Sequence, residues 1–167
     1  MIHYTTPQIY SFALLLFFGL WFFFLFYRLY KQFQHRSLLS RNRTLKKLKK
    51  LSWEDFECLS MELFEKLGWQ VEGNSKKGAD GGVDIWMKKH SWMKKDTHAI
   101  VQCKRYEEAL VTIKVIREMY GLMYEYEVDE VYVVTTSRFT KECYAFSKDK
   151  KITLIDGKGL VRLIEKV

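Results

Sequence analysis

Proline occurs once, at Pro7, cysteine only three times, and acidic residues not at all before position 50. Each scarcity excludes something. A single proline in 167 residues, with 48% hydrophobic residues, excludes a proline-rich linker or a low-complexity chain and leaves room for one modest domain. Cys58, Cys103 and Cys143 are far apart and form no CxxC pair, which argues against a disulfide framework and against a zinc site. They fit reduced thiols that pack. His3, His35, His90 and His98 are scattered without ligand spacing.

The missing acids say most about charge. Nine of the 28 Lys and Arg lie between Arg28 and Lys50, which leaves 19 basic against 20 acidic side chains in residues 51–167. The net charge of +8 therefore belongs to a segment, and the remainder is not a broadly basic nucleic-acid binder.

Charge of either sign is absent from Ile9 to Tyr27, where Leu14, Leu15, Leu16, Phe17, Phe18, Trp21, Phe22, Phe23 and Phe24 leave no polar stripe. At the helical rise such a run covers roughly 28 Å, close to the hydrocarbon thickness of a bilayer. Thr6 and Pro7 give a plausible helix start, and Tyr10, Tyr27 and Tyr30 stand where amphipathic rings favour an interface. A cleaved signal peptide would carry a basic start, and Met1 to Gln8 has none. The pattern predicts a short extracytoplasmic terminus (1–8), a transmembrane helix (9–27), a basic juxtamembrane segment (28–50) and a folded domain (51–167). Because basic flanks stay inside, that domain is expected in the cytoplasm, on a single-pass protein of the inner membrane. Topology and anionic lipid account for the basic segment before contact with DNA phosphates does.

From Ser52 the chain reads as alternating elements. Ser52-Trp53-Glu54-Asp55 is a capping signal, followed by helical spacing of Phe56, Leu59, Leu63 and Phe64 and a stop at Gly68. Strands are predicted at 69–71, 83–87, 98–104, 130–135 and 152–155, and further helices at 111–127, 140–148 and 159–166. A glycine-rich loop, in which Asp80 is a turn former, precedes the second strand, and a basic hairpin tip over 88–97 follows it. The expected fold class is α/β: a mixed sheet flanked by helices, αβββαβ with an added αβα, after one transmembrane helix.

Chemistry concentrates on the second and third strands. Asp84 stands between Val83 and Ile85, while in Val101-Gln102-Cys103-Lys104 the residues Gln102 and Lys104 share a face because side chains alternate. A carboxylate, an amide oxygen and an ammonium brought to one sheet edge are costly in a core and useful in metal-assisted hydrolysis.

An Asp followed by Gln-x-Lys resembles the PD-(D/E)xK nuclease superfamily. Within it, the chain resembles the Mrr-type restriction endonuclease family through Phe56-Glu57, Gly78-Ala79-Asp80-Gly81-Gly82-Val83-Asp84-Ile85, Val101-Gln102-Cys103-Lys104-Arg105-Tyr106, Val134-Thr135-Thr136-Ser137 with Phe139-Thr140, and Leu154-Ile155-Asp156-Gly157. The resemblance implies a restriction-endonuclease-like fold and a magnesium- or manganese-dependent deoxyribonuclease acting on foreign or modified DNA. It implies Asp84, Gln102, the carbonyl of Cys103 and Glu57 as metal ligands, and Lys104 as the group that orients or deprotonates water. Arg105 and Tyr106, with Lys104, are expected as phosphate or structural contacts. DNA and the membrane are the implied partners, with a homodimer left open. The alternative is a non-catalytic nucleic-acid-binding or tethering module, suggested by the near-neutral domain and by an amide where the superfamily usually has an acid.

Overall fold

A computed structural model describes residues 6–74, 82–92 and 95–167, with side chains except at 6–13 and 30–37. The predicted turn at Asp80 and part of the hairpin tip lie outside the described residues. The chain forms two compact units, Met1–Ser37 and Leu38–Val167.

Helix α1 (Thr6–Arg41) begins at the predicted Thr-Pro start and runs into the basic segment, ending at Arg41. Its large side chains from Leu14 to Leu29 are exposed, and Phe17 and Phe18 meet edge to face at 5.9 Å. The predicted transmembrane helix is not borne out: among the described residues no helix is long and apolar enough to cross a membrane.

The second unit opens with α2 (Leu45–Leu48) and α3 (Trp53–Lys66). The Ser52 hydroxyl accepts the Asp55 N–H at 3.0 Å, and Gly68, at φ +87°, ends α3 in the left-handed conformation that glycine adopts without strain. Strands β1 (Gln70–Gly73), β2 (Ile85–Lys89) and β3 (Thr97–Lys104) pair antiparallel. Helix α4 (Ile113–Glu125) crosses to β4 (Glu130–Thr135), which runs parallel to β3, and α5 (Lys141–Ser147) crosses to β5 (Ile152–Ile155), parallel to β4. Helix α6 (Gly157–Glu165) closes the unit. The five strands lie in chain order, with β3 at the centre.

Each sheet face is apolar because the central strands are covered on both sides. Ala99, Val101 and Cys103 of β3 pack with α3 and α6, while Ile100 of β3 with Val131 and Val133 of β4 pack with Ile116 and Met119 of α4 and Cys143 of α5. Leu39 and Leu48 join the α3 side of the core, so residues of the basic segment also build the domain.

Several boundaries differ from the sequence reading, three of them for clear local reasons. Helix α4 starts after Val111, because Val111 gives its N–H to Arg138 and accepts from Thr140 in a parallel bridge to Phe139. Helix α6 starts earlier, because Asp156 caps it by accepting the Gly159 N–H at 2.7 Å. Strand β2 begins at Ile85, leaving Asp84 just ahead of it.

Candidate active site

Asp84 is fixed by its backbone before its side chain is considered. Its N–H donates to the Val101 carbonyl and its own carbonyl accepts from Asn74, both at 2.9 Å, so the residue is stitched to β3 and to the end of β1. The side chain then turns toward β3. Oδ2 accepts the Cys103 N–H at 2.6 Å and the Nε2 of Gln102.

Burial raises the Asp84 carboxyl above the usual carboxylate range, against the opposing pull of the Cys103 N–H, the Lys104 charge and the Gln102 amide. The site therefore holds a desolvated carboxylate with a lysine near enough to act on it. Lys104 ends β3, opposite Thr135 of β4, and its carbonyl accepts the Thr135 hydroxyl at 2.7 Å.

Gln102 and Cys103 point to opposite faces, as strand alternation requires. Gln102 is buried on the α4 side, with Nε2 toward Asp84 and its oxygen toward Gly82; the reverse arrangement would set that oxygen against a carboxylate. Cys103 is buried on the α3 side, where burial first, then Asp84 and, less strongly, Glu57 push its thiol up. Glu57 is thus on the thiol side of β3, while Asp84 meets Gln102 and the Cys103 backbone directly. Among the described residues no group of three or more His, Cys, Asp and Glu is placed to hold a metal ion.

The donors nonetheless suit a hard divalent cation in kind: a carboxylate, an amide oxygen and a backbone carbonyl, in a partly buried place that raises the Asp84 pKa. Magnesium needs only one or two protein carboxylates and keeps several waters. Holding it through both Asp84 and Gln102 would require the Gln102 amide to turn, since Nε2 now faces Asp84.

Arg105 and Tyr106 leave the strand toward the protein itself. Arg105 Nη1 donates to the Lys49 carbonyl at 2.9 Å, and its guanidinium lies over the Trp53 ring at 5.7 Å. Tyr106 packs edge to face on Trp53 at 6.4 Å, its N–H donates to the Thr136 hydroxyl at 3.0 Å, and that hydroxyl donates to the Tyr106 carbonyl at 2.7 Å. Of the two roles that the sequence left for this pair, these contacts favour the structural one.

Thr135 and Thr136 are residues whose role the sequence did not give. Both are fully buried, and they hold the backbone of Lys104 and Tyr106 respectively. Their signal was present in Val134-Thr135-Thr136-Ser137: two hydroxyl residues at the end of an apolar strand need partners if buried.

A family model of restriction endonucleases, the Mrr-type catalytic domain, matches residues 48–164. No curated protein sequence matches the chain. Among solved structures, the DNA modification-dependent restriction endonuclease AspBHI is similar with a TM-score of 0.59 and 16% identity, over 79% of this chain and 35% of that one. A protein of unknown function, AF1548, is similar with a TM-score of 0.52 and 15% identity, over 65% of this chain and 62% of that one. At these identities the likeness is one of fold, and this chain spans only part of each of the two. The five-stranded sheet with helices on both faces is the restriction-endonuclease architecture, and with the family model covering most of its length the chain belongs to the Mrr-type restriction endonuclease catalytic-domain family.

Proposed function

We propose that this chain is a metal-dependent endonuclease that hydrolyses phosphodiester bonds of foreign or modified DNA. The observation that carries the reading is the Asp84 carboxylate, partly buried at the β2–β3 junction and held by the Cys103 N–H and the Gln102 amide, with Lys104 close enough to influence its charge.

Asp84, the Gln102 oxygen, the Cys103 carbonyl and Glu57 are the groups that would hold magnesium or manganese. Such an ion, when bound, supplies a Lewis acid that shares phosphate charge and acidifies water. Lys104, at the end of the strand, orients or deprotonates the attacking water and offsets charge that develops on the phosphate. Arg105 and Tyr106 hold that strand end against Trp53 and the carbonyl of Lys49, which keeps the lysine in place.

Exposed apolar side chains from Leu14 to Leu29, followed by the basic run, support attachment to a membrane through residues 9–27, with the domain on the cytoplasmic side. A second reading, a tethering module that binds DNA without cutting it, is favoured by one observation: Oδ2 of Asp84 already takes two protein donors.

Plasmid DNA, plain and methylated, incubated with the full chain with and without magnesium decides between them. Nicking that requires the metal and disappears in Asp84→Ala establishes the nuclease. DNA binding without cleavage, in a folded protein, establishes the tether. A linear product would require both strands to be cut.

A further inference from the structure

The α4 side of the sheet brings to this site a carboxylate that the Asp and Gln-x-Lys pattern does not contain. Gly82 has φ +96°, and a methyl group built on its Cα would stand 2.9 Å from Gln102 Oε1 and 3.2 Å from Glu118 Oε1. An amide oxygen on β3 and a carboxylate oxygen on α4 thus border the gap left by a residue without a side chain.

The amide half of this pair belongs to a side chain fixed in place. Gln102 is 5% exposed, its nitrogen donates to Asp84, and its Oε1 faces the gap. Two acceptor oxygens across one gap do not satisfy each other. A hard cation between the two oxygens would satisfy both. The carboxylate half is held in register by the core, because Ile116 and Met119, on either side of Glu118 along α4, are fully buried under the sheet.

We propose that Glu118 is a ligand of the divalent cation, acting with the Gln102 amide oxygen beside Asp84 and supplying the negative charge that an amide at position 102 does not carry. The proposal rests on the nuclease reading of Asp84 and Lys104. It explains why Gln102 presents its nitrogen to Asp84: the amide then bridges two carboxylates, donating to one and leaving its oxygen for the cation on the other. Position 82 carries no side chain, as its φ of +96° favours, and any Cβ there would occupy the gap. The Glu118 carboxylate, the amide oxygen and retained waters form a donor set that magnesium accepts.

The test is calorimetric titration of manganese into the full chain and its variants, with thermal melting of each in the absence of metal. Changing groups that merely support a metal ligand costs about 10- to 100-fold in affinity, so Glu118→Gln is expected to lose at least ~10-fold. Its metal-free melting temperature should stay at that of the wild type, because the side chain is exposed on its helix. Glu125→Gln, exposed on the same helix, should bind manganese as the wild type does. Wild-type affinity in Glu118→Gln, with affinity lost in Asp84→Asn, would overturn the role of Glu118 and leave the nuclease reading intact. A wild-type chain that neither binds manganese nor cuts DNA would overturn both.

Discussion

The Thr135 hydroxyl donates to the Lys104 carbonyl at 2.7 Å and accepts the Ser137 N–H at 3.1 Å, so the strand end that presents the lysine is pinned by its parallel neighbour. Thr135→Val keeps the shape and removes a buried donor and acceptor, a change that costs about 1–3 kcal/mol. The expected result is a lower melting temperature and a slower cleavage rate, with metal affinity retained. An unchanged rate in the plasmid assay would show that the hydroxyl does not position Lys104.

Asp84→Asn should separate function from stability. Burial raises the Asp84 carboxyl pKa, so the folded chain holds that proton more tightly than the unfolded one. The stability tied to the protonated form is fully present below the unfolded value of about 3.9 and is lost as pH rises through the raised folded value. At neutral pH the uncharged Asn is therefore expected to melt at or above the wild-type temperature without metal, with the difference closing in acid, while cleavage is abolished. A variant that melts well below wild type at neutral pH would contradict this sign.

The same shift sets a pH limit on activity. Ionised Asp84 is the form that can hold a cation, so metal binding and cleavage should decline at a higher pH than an ordinary surface carboxylate would allow. A pH profile of manganese affinity checks this. Affinity that holds down to the ordinary carboxyl range would place the metal elsewhere.

Arg105→Ala should weaken the fold rather than the grip on DNA. The change removes a hydrogen bond from a charged group to the Lys49 carbonyl and the packing on Trp53, together on the order of 1–3 kcal/mol. Melting should fall while the slope of log affinity against log salt stays constant. A slope reduced by about one phosphate contact would make Arg105 a DNA ligand instead.

Thiol chemistry offers a check on packing. Cys103 and Cys143 are buried, and burial holds the Cys103 thiol in its unreactive protonated form, whereas Cys58 is partly exposed. Iodoacetamide at neutral pH should label Cys58 alone in the folded chain and all three cysteines after denaturation, as read by peptide mass spectrometry. Rapid native labelling of Cys103 would mean that β3 opens.

Much of this arrangement was legible in the residues. Helix α3 announced itself through Ser52 and Gly68, β4 and β5 through short apolar runs, and the Asp84, Gln102 and Lys104 grouping through strand alternation. What could not be read depended on contacts distant in sequence. Val111 looked like the first turn of a helix because its partner, Phe139, lies in the loop after β4. Glu118 belongs to no motif, since only the tertiary fold carries it to Gly82. The apolar run at the amino terminus invited a bilayer, and among the described residues no helix is long and apolar enough to cross one. Leu39 and Leu48 stand in a stretch whose composition charge dominates, and yet both side chains enter the core.

That last placement governs how the protein can be regulated. Leu48 is wholly enclosed and Leu39 nearly so, and the Leu39 N–H donates to the buried Glu62 at 3.3 Å. A protease that cut between Asn42 and Lys50 would not set free an intact folded unit; it would loosen two plugs of the core and leave Glu62 without that donor. Freeing the folded unit by proteolysis therefore requires a cut before Leu38, and a recombinant version begun at Ser52 starts life with holes in its interior.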